Sequence, residues 1–201
     1  MVLENKLGLT SSPELAQAEE RISKERAKAL FEQNLLDNKK AGTYETLAFI
    51  HGFLFSDIYD FAGEIRKVNL AKGNFRFASL MYLEQALNNI DQMPQATFDE
   101  IIEKYVELNI AHPFREGNGR SMRLWLDHLL KSELGRVIDW PLVDKEDYLL
   151  AMERSPIRDI EIKHILRQAL TNQVDSREIY MKGIDHSYYY EGYTLYKTDE
   201  L

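Results

Sequence analysis

Apolar residues recur along most of this chain at the spacing of one helix face. Ser11-Ser12-Pro13-Glu14 reads as a helix start, a hydroxyl cap with proline in the first turn and an acid behind it. Leu15, Ala18, Ile22, Ala29 and Leu30 carry that helix to about Glu32 or Asn34. Gly42 breaks the chain, and Leu47, Ile50, Phe53, Leu54 and Ile58 then fit a 3.6-residue period from about Thr43 to Tyr59. His51 lies in this second helix and reads as a packed histidine. Amphipathic helices are predicted over Leu80–Ile90 and Thr97–Ile110 with Pro94 between them, and over Arg120–Leu134, packed through Leu124, Trp125, Leu129 and Leu130. Asp144–Glu153, a helix capped by Ser155-Pro156 and running to about Leu170, Asp175–Lys182 ended by Gly183, and a terminal helix ended by Gly192 complete the set.

The period changes once. Ile65–Leu70 and Asn74–Phe77 flank Ala71-Lys72-Gly73, so two short strands are expected to meet at a turn there. A lone hairpin exposes an unpaired edge. Such an edge either decorates the core or accepts an extended segment of another protein, with backbone hydrogen bonds supplying affinity. The expected fold is mainly α, a helical bundle around one central helix, with one β-hairpin.

Composition narrows the class. At 201 residues, 44% hydrophobic and 29% charged, the chain reads as one soluble globular domain spanning 1–201. A net charge of −8 argues against a nonspecific nucleic-acid binder. Without cysteine there is no disulfide framework, thiolate zinc site or redox chemistry. No apolar run approaches the ~18–20 residues of a membrane span. Met1 to Thr10 lacks the basic-then-apolar pattern of a secretory leader, so a cytoplasmic location is expected.

The chemistry concentrates in His112-Pro113-Phe114-Arg115-Glu116-Gly117-Asn118-Gly119-Arg120-Ser121-Met122-Arg123. Gly117-Asn118-Gly119 permits positive φ and close backbone approach to an anion, at the positive end of the helix that follows. Arg120 and Arg123, three apart, share a helix face from which both are expected to reach a polyphosphate. His112 is a candidate general base near neutral pH. Glu116 beside an anion nest makes sense with a bridging divalent cation, and Mg²⁺ takes a carboxylate plus phosphate oxygens. Together they describe a phosphate-transfer site, with Asn118 expected to orient phosphate and Phe114 to wedge the loop.

The same twelve residues resemble the Fic signature, His-x-Phe-x-(Asp/Glu)-Gly-Asn-Gly-Arg-x-x-Arg, at every fixed position, and Phe55-Ser56-Asp57-Ile58-Tyr59-Asp60-Phe61-Ala62-Gly63-Glu64-Ile65-Arg66 is also similar to Fic sequence. The resemblance implies a Fic-type bundle and transfer of AMP from ATP to a Tyr, Thr or Ser hydroxyl, with Mg²⁺ (Mn²⁺ or Ca²⁺ substituting or redirecting activity) and a protein partner. It implies that the hairpin, about residues 65–78, is the target-docking flap, with contact at Lys72, Gly73, Asn74, Phe75, Arg76 and Phe77. Related single-domain proteins often self-associate, so a homo-oligomer is expected.

Near the C-terminus, Ser187-Tyr188-Tyr189-Tyr190-Glu191-Gly192 matches the inhibitory Ser-x-x-x-Glu-Gly motif of many Fic proteins, implying a class III architecture with an inhibitory helix at about 185–193. Glu191 pairing with Arg123 would compete with the γ-phosphate. Tyr188, Tyr189 and Tyr190 are candidates for self-modification. Two rival readings remain open: removal of AMP from a modified target, with Glu191 positioning water, and a Glu191-locked nucleotide-binding regulator. A kinase-like γ-phosphate transfer is disfavoured by the intact Gly-Asn-Gly-Arg.

Overall fold

The computed structural model describes residues 2–201; Met1, the head of the stretch read for a leader, lies outside them. The elements run α1 (Ser12–Glu32), α2 (Tyr44–Phe55), β1 (Ala71–Lys72), β2 (Phe75–Arg76), α3 (Leu80–Gln92), α4 (Phe98–Ala111), α5 (Asn118–Leu134), β3 (Val137–Ile138), α6 (Lys145–Arg154), α7 (Ile160–Gln168), β4 (Leu170–Thr171) and α8 (Arg177–Tyr189). Helix α5 sits in the middle, packed by α2, α4 and α8. Its Met122, Trp125, Leu126, Leu129 and Leu130 are all buried. A rigid, buried helix is what an anion site at its N-terminus needs for support.

Polar caps set where helices begin. Thr43 accepts from Thr46 N, Ser176 from Ile179 N, and Asp144 from Glu146 N and Asp147 N. Thr97 and Glu100 form a reciprocal capping box at the start of α4. No helix among the described residues is long and apolar enough to cross a membrane.

Several expected boundaries move. Helix α2 stops at Phe55, not Tyr59; Ile58 is fully buried from the turn that follows, so the apolar period outlasts the helix. In the hairpin, Ala71 pairs with Arg76 and Lys72 with Phe75, which makes Gly73-Asn74 the turn and leaves residues 65–70 outside the ladder. Gly73 takes a φ of 58° as the first central residue, as a II′ turn requires. A second antiparallel pair was not foreseen: β3 meets β4, two residues each and far apart in sequence, too short to show any alternation. Ser155 closes α6 instead of opening α7, which starts after Asp159. Most consequentially, Gly183 does not end a helix. It lies inside α8, where a Cβ would stand 3.3 Å from the Trp140 ring, so glycine there serves close helix-to-ring packing.

Helix α1 also turns a different face inward from the apolar stripe expected. Ile22 is only half-buried, whereas Glu19, Glu20, Ser23 and Lys24 are buried beside Leu15, Ala27 and Leu30. Buried charges need partners, and these have them. Glu20 accepts from Leu195 N and Tyr196 N, while Lys24 Nζ donates to Tyr196 O at 2.6 Å and pairs with Glu20 at 3.0 Å. The helix is thus a polar rail for the C-terminal segment.

The capping box provides a test of how α4, which ends at His112, is anchored at its other end. Thr97→Ala is expected to lower unfolding stability by about 1 kcal/mol, read as a shift of the urea midpoint at constant slope. An unshifted midpoint would mean that solvent satisfies the Glu100 amide equally well.

Candidate active site

Helix α4 ends on His112, which takes the left-handed conformation at φ 48°, ψ 64°. That geometry is uncommon for a non-glycine residue. The loop that follows is closed by Asn118, whose Oδ1 accepts from Phe114 N at 2.9 Å and whose Nδ2 donates to Phe114 O at 2.8 Å. Gly117 opens α5 at φ 77°, with the Phe55 ring 2.5 Å from where a Cβ would lie. Glycine is required there on both counts.

His51 braces this loop from below. Its ring stacks on Phe114 with centroids 3.8 Å apart, and Gly63 N donates to Nδ1 at 2.8 Å. With Nδ1 accepting, the proton sits on Nε2, which donates to Glu116 O at 2.8 Å. Burial drives its pKa down to about 4. His51 is packed, as expected, but it is packed against the motif.

An open cleft of about 780 Å³ runs between the hairpin, the loop and α6, with His112, Gly117, Gly119, Arg123, Tyr148 and Glu191 among its walls. The His112 ring stacks on Phe77 of the hairpin arm, centroids 3.7 Å apart and 14° from parallel. Its Nδ1 is buried without a hydrogen-bond partner among the described residues. Burial lowers its pKa to about 4, against the pull first of the nearby Asn109 carbonyl and then of Glu191, so the ring is neutral at pH 7.

The arginines and the tail meet over Gly119. Arg123 donates from Nε to Ser187 Oγ at 2.6 Å, and from Nη2 to Ser187 O at 2.9 Å and Glu191 Oε1 at 2.6 Å. Glu191 Oε2 lies 3.0 Å from Arg120 Nε, close enough for an ion pair but off line for a hydrogen bond. A Cβ at Gly119 would collide with Glu191 Oε1, so the carboxylate fills the hollow that this glycine leaves. Burial pushes the Glu191 carboxyl up, but Arg123 and Arg120 outweigh it and hold it below its ordinary value.

Two expected assignments change. Arg120 does not face the cleft beside Arg123. Its guanidinium is fully buried, with Nη1 on Glu19 at 2.5 Å, Nη2 on Glu116 at 3.3 Å, and the rings of Phe55, Tyr188 and Tyr193 around it. Asn118 has both ends of its carboxamide bonded to Phe114, so the side chain first serves to close the loop, and its backbone N–H and the second Nδ2 hydrogen are the donors left for an anion. Among the tail tyrosines, Tyr188 and Tyr190 are buried with hydroxyls on Ser23 Oγ (2.6 Å) and Val143 O (2.8 Å), so self-modification there is blocked in this conformation; Tyr189 is exposed.

The site also uses residues that pattern reading passed over. Glu19 accepts from Arg120, Tyr59 and Tyr193, and these partners together keep its carboxyl low against burial. The one signal available was the buried-side spacing of Leu15, Glu19, Ser23 and Ala27, legible only once the partner was known. As a metal ligand Glu116 stands alone: no group of three or more His, Cys, Asp or Glu exists among the described residues. Its Oε1 accepts from Gly117 N, and it opens on the cleft beside the nest. One carboxylate with phosphate oxygens suits Mg²⁺ and does not suit a cation held by protein alone.

Residues 41–130 match the Fic/DOC family. The chain is 26% identical over 182 residues to a probable protein adenylyltransferase Fic of Salmonella typhimurium, covering 85% of this chain and 88% of that protein. It is 32% identical over 142 residues to the protein adenylyltransferase VbhT of Bartonella schoenbuchensis, covering 65% of this chain and 30% of that longer protein. A Bartonella quintana Fic domain with bound ADP superposes with a TM-score of 0.72 at 20% identity, covering 89% of this chain and 93% of that one.

Both buried imidazoles are expected to stay neutral down to acid pH. In a histidine-resolved NMR titration, His51 and His112 should show no transition between pH 8 and 5. Between 6.5 and about 4 an unfolded chain takes up protons that the folded one refuses, so each ring withdraws stability as pH falls through that window. A midpoint near 6.5 for His112 would show the ring to be solvated, not stacked.

Proposed function

We propose that this chain, which belongs to the Fic/DOC family, moves AMP from ATP onto a Tyr, Thr or Ser hydroxyl of a target protein and is restrained by its own Glu191. Relatives named as protein adenylyltransferases support the reaction class, and the ADP-bound neighbour supports nucleotide use. The observation that carries the reading is the carboxylate of Glu191 over Gly119, paired with Arg123. The protein's own anion marks where a substrate anion is wanted, and the two compete for one guanidinium.

In the proposed reaction His112 accepts the proton of the target hydroxyl, whose oxygen attacks the α-phosphorus. The bond from that phosphorus to the bridging oxygen breaks, and pyrophosphate leaves with the electron pair. Polyphosphate brings negative charge near His112, which lifts its pKa back toward the working range. Gly117 and Gly119 let backbone N–H groups approach the phosphates at the positive end of α5. Arg123, once free of Glu191 and Ser187, supplies a fork for outer phosphate oxygens. Arg120 acts from beneath, fixing Glu116 at the rim. Glu116 would hold Mg²⁺, whose charge would offset that of the phosphates when bound. The exposed hairpin, residues 71–76, offers its backbone edge to an extended target segment next to His112.

Intact mass after incubation with ATP and Mg²⁺ tests this. Wild type is expected to gain little, Glu191→Gly to gain the mass of one or more AMP groups, and Glu191→Gly/His112→Ala to gain none. Peptide mapping should find Tyr189 modified ahead of Tyr188 and Tyr190. A gain of phosphate mass, or no gain with Glu191→Gly, would defeat the reading.

A further inference from the structure

Arg66 lies outside the signature and is 3% exposed. Burying a guanidinium normally demands a carboxylate, yet none pairs with it among the described residues. Instead it donates to four backbone carbonyls. Nε reaches His112 O at 2.8 Å, Nη1 reaches Val68 O at 2.7 Å, and Nη2 reaches Ala78 O at 2.5 Å and Ala111 O at 3.2 Å. Its own N–H donates to Pro113 O at 2.8 Å. These acceptors fall into two groups. Ala111 and His112 carry the last, intrinsically unpaired carbonyls of α4, where a cation is favoured by the helix dipole. Val68 and Ala78 lie on the two arms that flank the hairpin.

We infer that Arg66 is the positioning residue that sets His112 for proton transfer, by pinning the end of α4 to both arms of the hairpin. The inference rests on the proposed reaction and adds to it. His112 is in a left-handed conformation and stacks on Phe77, one residue before Ala78. Both constraints hold only if the helix end and the returning hairpin arm keep a fixed separation. Arg66 spans that gap with a planar fork, reinforced by Ala78 N donating to Ile110 O at 2.9 Å. A lysine keeps the charge but cannot address both sides at once. The same fork links target docking to the base, since the docking edge and His112 share one anchor.

The test compares Glu191→Gly with Glu191→Gly/Arg66→Lys and Glu191→Gly/Arg66→Gln. Three quantities are read: ATP affinity with Mg²⁺, the single-turnover rate of AMP gain by mass, and the His112 ring-proton shifts that report stacking on Phe77. ATP affinity is expected to change by less than about twofold, while the rate falls by about 100-fold, the loss expected when a reacting group shifts by about 1 Å. The His112 protons should lose their ring-current shift in both variants. A lysine variant with unchanged rate and unchanged shifts overturns the inference. So does a variant in which rate and ATP affinity fall together while the stacking persists, which marks general loosening. If Glu191→Gly itself gains no AMP, the transferase reading fails, and the ring shifts still decide the role of Arg66. Should the variants not fold, wild type decides: Arg66 Nε–H must be protected from exchange and scalar-coupled to the His112 carbonyl, and free exchange overturns the inference.

Discussion

A fully buried guanidinium at Arg120 is the constraint around which the molecule is arranged. Removing such a charge from water is costly unless anions surround it. Glu19 supplies one from α1, Glu191 another from the tail, and Glu116 a third from the loop, while aromatic faces close the remaining sides. Segments distant in sequence are therefore held to one point at the start of α5. Arg123, one turn on, shares Glu191 and adds Ser187. Under the proposed function, departure of Glu191 leaves Arg123 without its carboxylate and creates the demand that a phosphate would meet.

That departure involves more than one ion pair. Tyr188 and Tyr190 bury their rings and bond to Ser23 and Val143, Gly183 lets α8 close on Trp140, and the segment after Gly192 is strapped to α1 through Glu20 and Lys24. Glu191 follows directly in the turn that closes α8, a helix seated in the core rather than a fraying end. Pairing of Glu191 with Arg123 is thus built into the packing of the C-terminal segment.

Around the cleft, residues that need not touch a substrate do the placing. His51 holds the Glu116 carbonyl, Asn118 ties the loop to Phe114, and Arg66 gathers the carbonyls at the end of α4. Each satisfies backbone groups that a tight loop or helix end leaves unpaired. The loop geometry is thus set by hydrogen-bond satisfaction from outside the loop.

Local chemistry made much of this legible in the sequence: helices from the 3.6-residue period, the existence of a hairpin around Gly73 though not its register, and the motif from His112 to Arg123 with its companion Glu191. Those features depend on neighbours within a turn or two, or on a resemblance carried by consecutive residues. Tertiary structure alone decided which polar groups are buried, because burial is a property of what packs opposite. Glu19 and Lys24 look like solvent-facing charges until α5 and the tail arrive; Arg120 looks like a phosphate ligand until Glu19 claims it. Gly183 reads as a helix end until Trp140 explains its missing side chain. Arg66 looks like an ordinary basic residue before a hairpin until four carbonyls from the end of α4 and both hairpin arms converge on it, and no spacing along a chain records that convergence.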